Sequence, residues 1–329
     1  MHSIAEADVN GKKVIVRADL DLAENNGQFE TFRLQRLLPT LKSIRQRGGT
    51  IRIIAHRGRP EGVDPNLSLA PVAALLTEQL GQEVSFGGDP LVNPNPTGEI
   101  VLFENLRFNR GEEANSTDFT DSLAQLGEIY VNESFATSHR AHASIVSLPK
   151  LLPHFAGLNL LEEIKNLSKV IESPEHPLVV IVGGIKVETK RPLLDYMQNI
   201  ADYILVGSSL MKDLVATAKI IVPSDTIGDG QDIGVATVAH FTQVISSAKM
   251  IVWNGPLGKY EDNRFAGGTK AIAQAIVATN AYSVVGGGDT IASLDEMGLI
   301  SRVSFVSTGG GAMLEFLSGK KLPGIEALQ

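Results

Sequence analysis

The stretch Ile181-Val182-Gly183-Gly184-Ile185-Lys186-Val187-Glu188-Thr189-Lys190 decides how this chain is read. The apolar run Leu178–Val182 stops at two glycines and is followed at once by two lysines. A short Val/Ile/Leu run is the pattern of a buried parallel strand, and glycines at its carboxyl end let the backbone approach a ligand closely. Lys186 and Lys190 are spaced to share one face of a helix opening here. The stretch therefore predicts a strand running into a phosphate-handling turn. By itself it fits an ordinary strand-to-helix turn with two solvated lysines better, so the rest of the chain has to decide.

The same alternation runs through both halves. In the first, strand-like runs at Lys13–Leu20, Thr50–Ala55, Glu83–Phe86, Glu99–Glu104 and Glu128–Glu133 are separated by helical patterns such as Arg33–Arg47 and Ala70–Gln79. In the second, Leu178–Val182, Tyr203–Val206, Ile220–Val222, Met250–Trp253, Tyr282–Val285 and Val303–Val306 read as strands. Between the halves, a helical pattern at Asn159–Ile171 lies between Pro153 and the pair Pro174/Pro177 and reads as a connector. This is the α/β class: two Rossmann-like lobes, each a mainly parallel sheet flanked by helices, joined by a helical hinge.

Composition narrows the function. The chain has 329 residues, 43% apolar and 20% charged, with no cysteine, which removes disulfides, thiolate catalysis and cysteine-metal sites together. A net charge of -8 argues against a general nucleic-acid binder. No apolar run is long enough to cross a bilayer and Met1–Lys12 lacks the pattern of a signal peptide, so a cytoplasmic protein is expected. Residues 1–150 hold 11 Arg and 4 Lys, whereas 151–329 hold 3 Arg and 11 Lys. Guanidinium forks suit two-point binding of carboxylate or phosphate, while ammonium is a movable point charge.

Polar residues gather at the strand ends. The first half supplies Arg17, Asp19 and Asp21, then His56-Arg57-Gly58-Arg59, then Glu104-Asn105-Leu106-Arg107, then His139-Arg140-Ala141-His142. Singly, each cation fits a surface ion pair. Jointly they repel unless an anion joins them, and no zinc spacing links the histidines. In the second half, Gly286-Gly287-Gly288-Asp289-Thr290 and Thr308-Gly309-Gly310-Gly311 each place bare amides at a helix start, a ready anion site. The P-loop and the dinucleotide-binding glycine fingerprint are both missing. Two phosphorylated ligands facing each other across a cleft fit phosphoryl transfer, which needs positioning and neutralised charge more than a protein nucleophile.

Eight segments then resemble the phosphoglycerate kinase family, in that family's order: Val16–Asp21, His56–Pro60, Glu104–Phe108, His139–Ser144, Gly183–Val187, Trp253–Pro256, Gly286–Thr290 and Ser307–Ala312. The resemblance covers nearly the whole chain. It implies reversible transfer from 1,3-bisphosphoglycerate to ADP, giving 3-phosphoglycerate and ATP, with Mg2+ bound to the nucleotide. By the same resemblance, the protein is a cytoplasmic monomer with small-molecule partners and no nucleic acid or membrane.

The resemblance also implies a division and a set of roles. Residues 1–150 form the 3-phosphoglycerate lobe, 151–177 the connecting helix or hinge, 178–315 the nucleotide lobe, and 316–329 a tail returning to the first lobe. Asp19, Asp21, Arg33, His56, Arg59, Arg107 and Arg140 match the 3-phosphoglycerate site. Arg33 and Lys186 match the catalytic pair that follows the moving phosphoryl group. Gly183, Gly184, Lys190, Gly207, Gly230, Asn254, Glu261, Gly287, Gly288, Asp289 and Thr290 match the nucleotide site, with Glu261 on the ribose hydroxyls and Asp289 on the metal. Gly309, Gly310 and Gly311 match the helix start that faces the transferring phosphate.

The chain departs from the family in three places. Asp19-Leu20-Asp21 stands where the family has Asp-Phe-Asn, adding a carboxylate beside an anionic substrate. A like-charge contact at roughly 4 Å costs up to ~4 kcal/mol before screening. Gly207-Ser208-Ser209 replaces a run of three glycines, and the segment from Leu210 to Gly230 is shorter than in ordinary members. Two other readings compete: a catalytically weak or inactive nucleotide- or phosphometabolite-binding protein of the same fold, and an NAD-dependent oxidoreductase.

Overall fold

Strand β1 (Lys13–Arg17) pairs in parallel on both sides and is buried over four of its five residues, which is why KVIVR reads as an apolar run and not as an alternating one. The computed structural model describes residues 1–25, 28–185 and 187–329. They fall into two units, Met1–Glu162 with Lys321–Gln329, and Glu163–Lys320. In the first, β2 (Thr50–Ile54), β3 (Ser85–Gly88), β4 (Ile100–Phe103), β5 (Ile129–Asn132) and β6 (His154–Ala156) join β1 in the order β3-β4-β2-β1-β5-β6. All these pairings are parallel. The chain leaves β1 toward one edge and returns to its other side at β5, so the switch point lies between β1 and β5, where a doubly wound sheet places its ligand.

Helices α1 (Phe32–Gln46) and α2 (Ala70–Leu80) cover this sheet. Leu34, Leu37, Leu41 and Ile44 recur at helical spacing along α1 and pack with Val14, Val16, Ile51 and Ile53. Helix α3 (Leu158–Glu172) takes its amino-terminal bonds from a buried carboxylate: Glu133 accepts from the amides of Asn159 (3.1 Å) and Leu160 (3.2 Å) and from Thr40 Oγ1 (2.6 Å). Burial outweighs those donors and pushes the Glu133 carboxyl up to about 7. Residues Leu322, Ile325 and Leu328 of the carboxyl-terminal segment are buried, and the Gly324 amide donates to the Ser138 carbonyl (2.8 Å).

The second unit contains β7 (Leu178–Val182), β8 (Tyr203–Val206), β9 (Ile220–Ile221), β10 (Met250–Asn254), β11 (Tyr282–Gly286) and β12 (Phe305–Ser307), again all parallel. Their order is β9-β8-β7-β10-β11-β12, that of a nucleotide-binding doubly wound sheet, with the switch point between β7 and β10. Helices α4 (Val187–Ile200), α5 (Val235–Ser246), α6 (Gly267–Val277), α7 (Gly288–Glu296) and α8 (Gly311–Leu317) follow individual strands. Phe241 and Ile245 of α5 and Ile272 and Ile276 of α6 pack on Val179, Ile181, Ile251 and Trp253.

The α/β class and the two parallel sheets expected from the alternation are what the chain adopts. Two strands begin later than their apolar runs. The Val84 amide donates to Thr77 Oγ1, so the ladder starts at Ser85 and not at Glu83. Val303 closes a turn onto Ile300, so the last strand starts at Phe305.

In the shortened segment no helix lies between Met211 and Gly230 among the described residues. The chain passes through β9 to a two-stranded hairpin, Thr226–Ile227 with Asp232–Ile233. Two aspartates, one just before the hairpin and one within it, accept amides from the first turns of the next two helices. Asp225 accepts from the Ala236 and Thr237 amides, and Asp232 from the Gly268 amide. Among the described residues no helix is long and apolar enough to cross a membrane.

Candidate active site

The carboxyl ends of β1 and β2 in the first unit carry a cluster of cations with few anions. Arg17 is fully buried and donates to Ser144 Oγ (2.8 Å), the Ala18 carbonyl (2.6 Å) and His56 Nδ1 (3.1 Å). Beside it, Arg107 Nη1 donates to the Gly58 carbonyl (2.5 Å). Its Nε lies 3.2 Å from Glu113 Oε1, yet neither Nε nor Nη2 has a hydrogen-bond partner among the described residues. His142 Nδ1 is likewise buried without one.

The electrostatics agree with the count of charges. Burial, followed by Arg140, lowers Arg107 to about 10, and burial with Arg107, Arg17 and Arg140 lowers His142 to about 4. His56 is held well below the usual histidine range by burial, then by Arg17, Arg107, Arg140 and His142. A cluster that resists its own protonation and leaves donors unused is suited to an incoming anion. Along its edge, Arg33 Nη1 reaches both oxygens of Asp19 (3.0 and 3.1 Å), an attraction that raises the guanidinium further. Asp21 accepts from the Gly58 amide (2.8 Å) and lies 3.7 Å from His56 Nε2.

In the second unit a cavity of about 590 Å3 opens at the switch point, a volume suited to a nucleotide. Its floor is two loops pressed together: Gly183 donates to the Asn254 carbonyl and Gly184 to the Pro256 carbonyl, both at 2.9 Å. A Cβ on Gly183 would lie 2.0 Å from the Pro256 oxygen, so only glycine permits this approach. The α7 amino-terminus, with Gly287 in the left-handed region (φ 98°), turns its amides toward the same space, and Thr290 Oγ1 takes the Gly255 amide (2.8 Å). Lys190 hydrogen-bonds Asn254 Oδ1.

Burial lowers Lys190 to about 8, with Asp289 pulling the other way. From about 8 to the usual 10.5 the folded chain then holds fewer protons at this site than the unfolded chain, so the second unit gains stability with rising pH in that window. An anion bound against Lys190 restores its charge. A polyphosphate anion bound against Lys190 at about pH 8.5 would therefore be accompanied by proton uptake, read as a buffer-dependent calorimetric enthalpy, and Lys190→Arg would remove it.

Asp19, Asp21, Arg33, His56, Arg107 and Arg140 are joined by contacts or by their mutual fields, while Arg59 is exposed. Gly184, Lys190, Gly230, Asn254, Glu261, Gly287, Gly288, Asp289, Thr290, Gly310 and Gly311 line the cavity of the second unit. Gly183, Gly207 and Gly309 are buried behind its wall. Lys186 lies outside the described residues. Of the two serines in the departure from three glycines, Ser208 is buried with its hydroxyl on the Leu257 carbonyl (3.0 Å), and only Ser209 faces the cavity. Arg17 and Ser144 stand in matched segments but were given no role, and Glu112 in the first unit and Gln231 and Lys259 along the cavity were not named. A lone arginine ending the apolar run KVIVR was the available signal for the first.

A cluster of cations on one doubly wound sheet and a glycine-walled cavity with a helix amino-terminus on the other fit the class of phosphotransferases. The family model for phosphoglycerate kinase matches residues 4–226 and 210–320. Curated phosphoglycerate kinases from Azorhizobium caulinodans and Dictyoglomus turgidum are 38% and 35% identical to the chain, in each case over 99% of this chain and 98% of the relative. The chain belongs to the phosphoglycerate kinase family.

Solved structures agree with this assignment. The phosphoglycerate kinase from Coxiella burnetii superposes with a TM-score of 0.85 at 34% identity, covering 99% of this chain and 98% of that one. The enzyme from Pyrococcus horikoshii OT3 gives 0.88 at 28% identity, covering 100% and 98%. The alignment with the Azorhizobium relative spans 390 positions against 329 residues, so it contains positions with no counterpart in this chain. The two matched stretches of the family model overlap at 210–226, within the segment read as shortened.

Proposed function

We propose that the chain catalyses reversible phosphoryl transfer from 1,3-bisphosphoglycerate to ADP, giving 3-phosphoglycerate and ATP. One observation carries the reading: each sheet bears, at the carboxyl ends of its strands, its own cluster suited to an anion, one of guanidinium and imidazole, the other of glycine amides and Lys190. Arg107, Arg140 and His56 bind the carboxylate and phosphate of phosphoglycerate, with Arg59 at the exposed margin. Arg33, held on Asp19 in the free protein, turns to the transferred group, and Lys186 neutralises that group during transfer. Phosphoryl transfer asks for this charge neutralisation and positioning.

On the nucleotide side, Gly287, Gly288 and Thr290 receive the phosphates, Glu261 the ribose and Lys190 the phosphate chain. Magnesium holds few protein ligands when it arrives with phosphates, keeping waters and one or two carboxylates. Asp289, one of two carboxylates lining the cavity and the one at the amino-terminus of α7, fits that requirement, and among the described residues no group of three or more acidic or histidine side chains is placed to hold a resident ion. Asp289 would hold the ion, which supplies charge neutralisation of the nucleotide phosphates. The same reading makes the protein a cytoplasmic monomer without nucleic-acid partners, and light scattering on the purified chain tests the monomer.

Initial rates measured over a matrix of ATP and 3-phosphoglycerate concentrations test the proposal. Saturation in both ligands, with no turnover when either is omitted, is the expected outcome. Tight binding of both without turnover would instead make this an inactive binder of the same fold. Within that assay Asp21→Asn lowers the KM for 3-phosphoglycerate, because the amide oxygen still accepts from Gly58 while the charge facing the substrate is removed. An unchanged or higher KM removes this idea.

A further inference from the structure

Arg17 does not fit the role of a simple anion ligand. Its Nε, Nη1 and Nη2 are already directed at Ser144 Oγ, the Ala18 carbonyl and His56 Nδ1, and the side chain is fully buried. Behind it stands a second buried group: Glu112 Oε1 receives the Ser144 hydroxyl (2.5 Å) and Oε2 the Ser144 amide (3.0 Å). The Ser144 carbonyl accepts from the Tyr130 hydroxyl (2.7 Å). Every polar atom of Ser144 is thus engaged, and its hydroxyl can only accept from Arg17 and donate to Glu112.

The direction of each proton in this row follows from chemistry. Guanidinium has donors only, so His56 Nδ1 must accept from Arg17 and carry no proton. The imidazole proton is then on Nε2, the atom 3.7 Å from Oδ2 of the partly exposed Asp21. The other neutral tautomer would oppose two donors at Nδ1 and turn a lone pair toward Asp21 and an incoming anion. The charged form is opposed by Arg17, Arg107, Arg140 and His142, and Asp21 is the anion in direct contact.

We propose that Arg17, oriented by Ser144 and Glu112, is a positioning residue that holds His56 in its Nε2–H tautomer and so presents a donor to the anionic substrate. The inference rests on the phosphoglycerate reading only for the identity of that anion; the tautomer does not depend on it.

Two-bond proton–nitrogen correlation spectra of the full chain with labelled histidine, recorded without ligand between about pH 6 and 8, give the test. The expected spectrum has His56 with an unprotonated Nδ1 and a protonated Nε2 throughout. Arg17→Met yields a tautomer mixture and raises the KM for 3-phosphoglycerate about tenfold, more than it lowers kcat. Arg17→Lys, which keeps a donor near Nδ1, recovers part of both.

A protonated Nδ1 in the unmodified protein overturns the proposal whatever the activity. So does an Arg17→Met protein that keeps the pure Nε2–H form with an unchanged KM. If Arg17→Met does not fold, Ser144→Ala serves in its place: it leaves Arg17 Nε without its acceptor, and the tautomer mixture is again the expected result. An Nε2–H imidazole in a protein without turnover supports the tautomer and counts against the phosphoglycerate reading alone.

Discussion

Arg107→Met raises the KM for 3-phosphoglycerate about a hundredfold while leaving the melting midpoint of the protein no lower than before. The two effects have one cause. A charge-assisted contact to a desolvated carboxylate or phosphate is worth ~2–5 kcal/mol when one partner is truncated. In the free protein that same guanidinium is nearly buried, has two nitrogens without hydrogen-bond partners and sits in the field of Arg140 and Arg17. An unsatisfied buried donor costs ~1–3 kcal/mol, and methionine keeps most of the stem that packs there. Loss of the bond to the Gly58 carbonyl, at ~1 kcal/mol, and of the ion pair to the half-exposed Glu113, at ~0–1 kcal/mol, offsets part of the gain. Thermal melts and initial rates on one preparation check both halves. A midpoint several degrees lower, or an unchanged KM, contradicts the assignment of Arg107 to an anion pocket held open against its own repulsion.

Gly183→Ala destabilises the second unit by ~3 kcal/mol or more and weakens nucleotide binding at least tenfold. Its Cβ would lie 2.0 Å from the Pro256 oxygen and 2.6 Å from the Gly255 oxygen, and both are backbone atoms that no rotamer change can move. Relief requires the loops after β7 and β10 to part, and those loops are the floor of the cavity. Gly184→Ala is the comparison: its nearest neighbour is Lys190 Cε at 4.0 Å, so the cost there is the left-handed backbone alone, ~1–2 kcal/mol. Melts of the two variants, with titration of ADP, separate them. Equal losses would mean that close backbone packing is not what these glycines provide.

That contrast shows where sequence reading reached its limit. The parallel strands were legible because a strand buried on both faces is a continuous apolar run, and β7, buried at all five residues, is the extreme case. Strand β6 was not, since three residues between Pro153 and Gly157 carry no period. The glycine turns pointed to a ligand site, yet the sequence does not separate a glycine that lines the cavity, such as Gly287, from Gly183 and Gly207, which make room for neighbouring backbone.

In the first unit Arg33, His56, Arg59, Arg107 and Arg140 were assigned through motif resemblance, buried and exposed alike. Arg17 was noted at its strand end but given no role, because its partners, His56, Glu112 and Ser144, are brought to it by the fold from distant parts of the chain. The serine substitutions looked like a change in the phosphate loop. Half of that change is internal, since Ser208 is buried on Leu257.

Phosphorus NMR of the protein with ATP, Mg2+ and 3-phosphoglycerate, set beside a Lys186→Ala sample, tests the proposed reaction most directly. The expected result is loss of the ATP γ-phosphate signal into an acyl-phosphate resonance with matching growth of ADP, and none of this in the variant. Unchanged ATP and 3-phosphoglycerate signals, in a sample where both ligands are demonstrably bound, would contradict it.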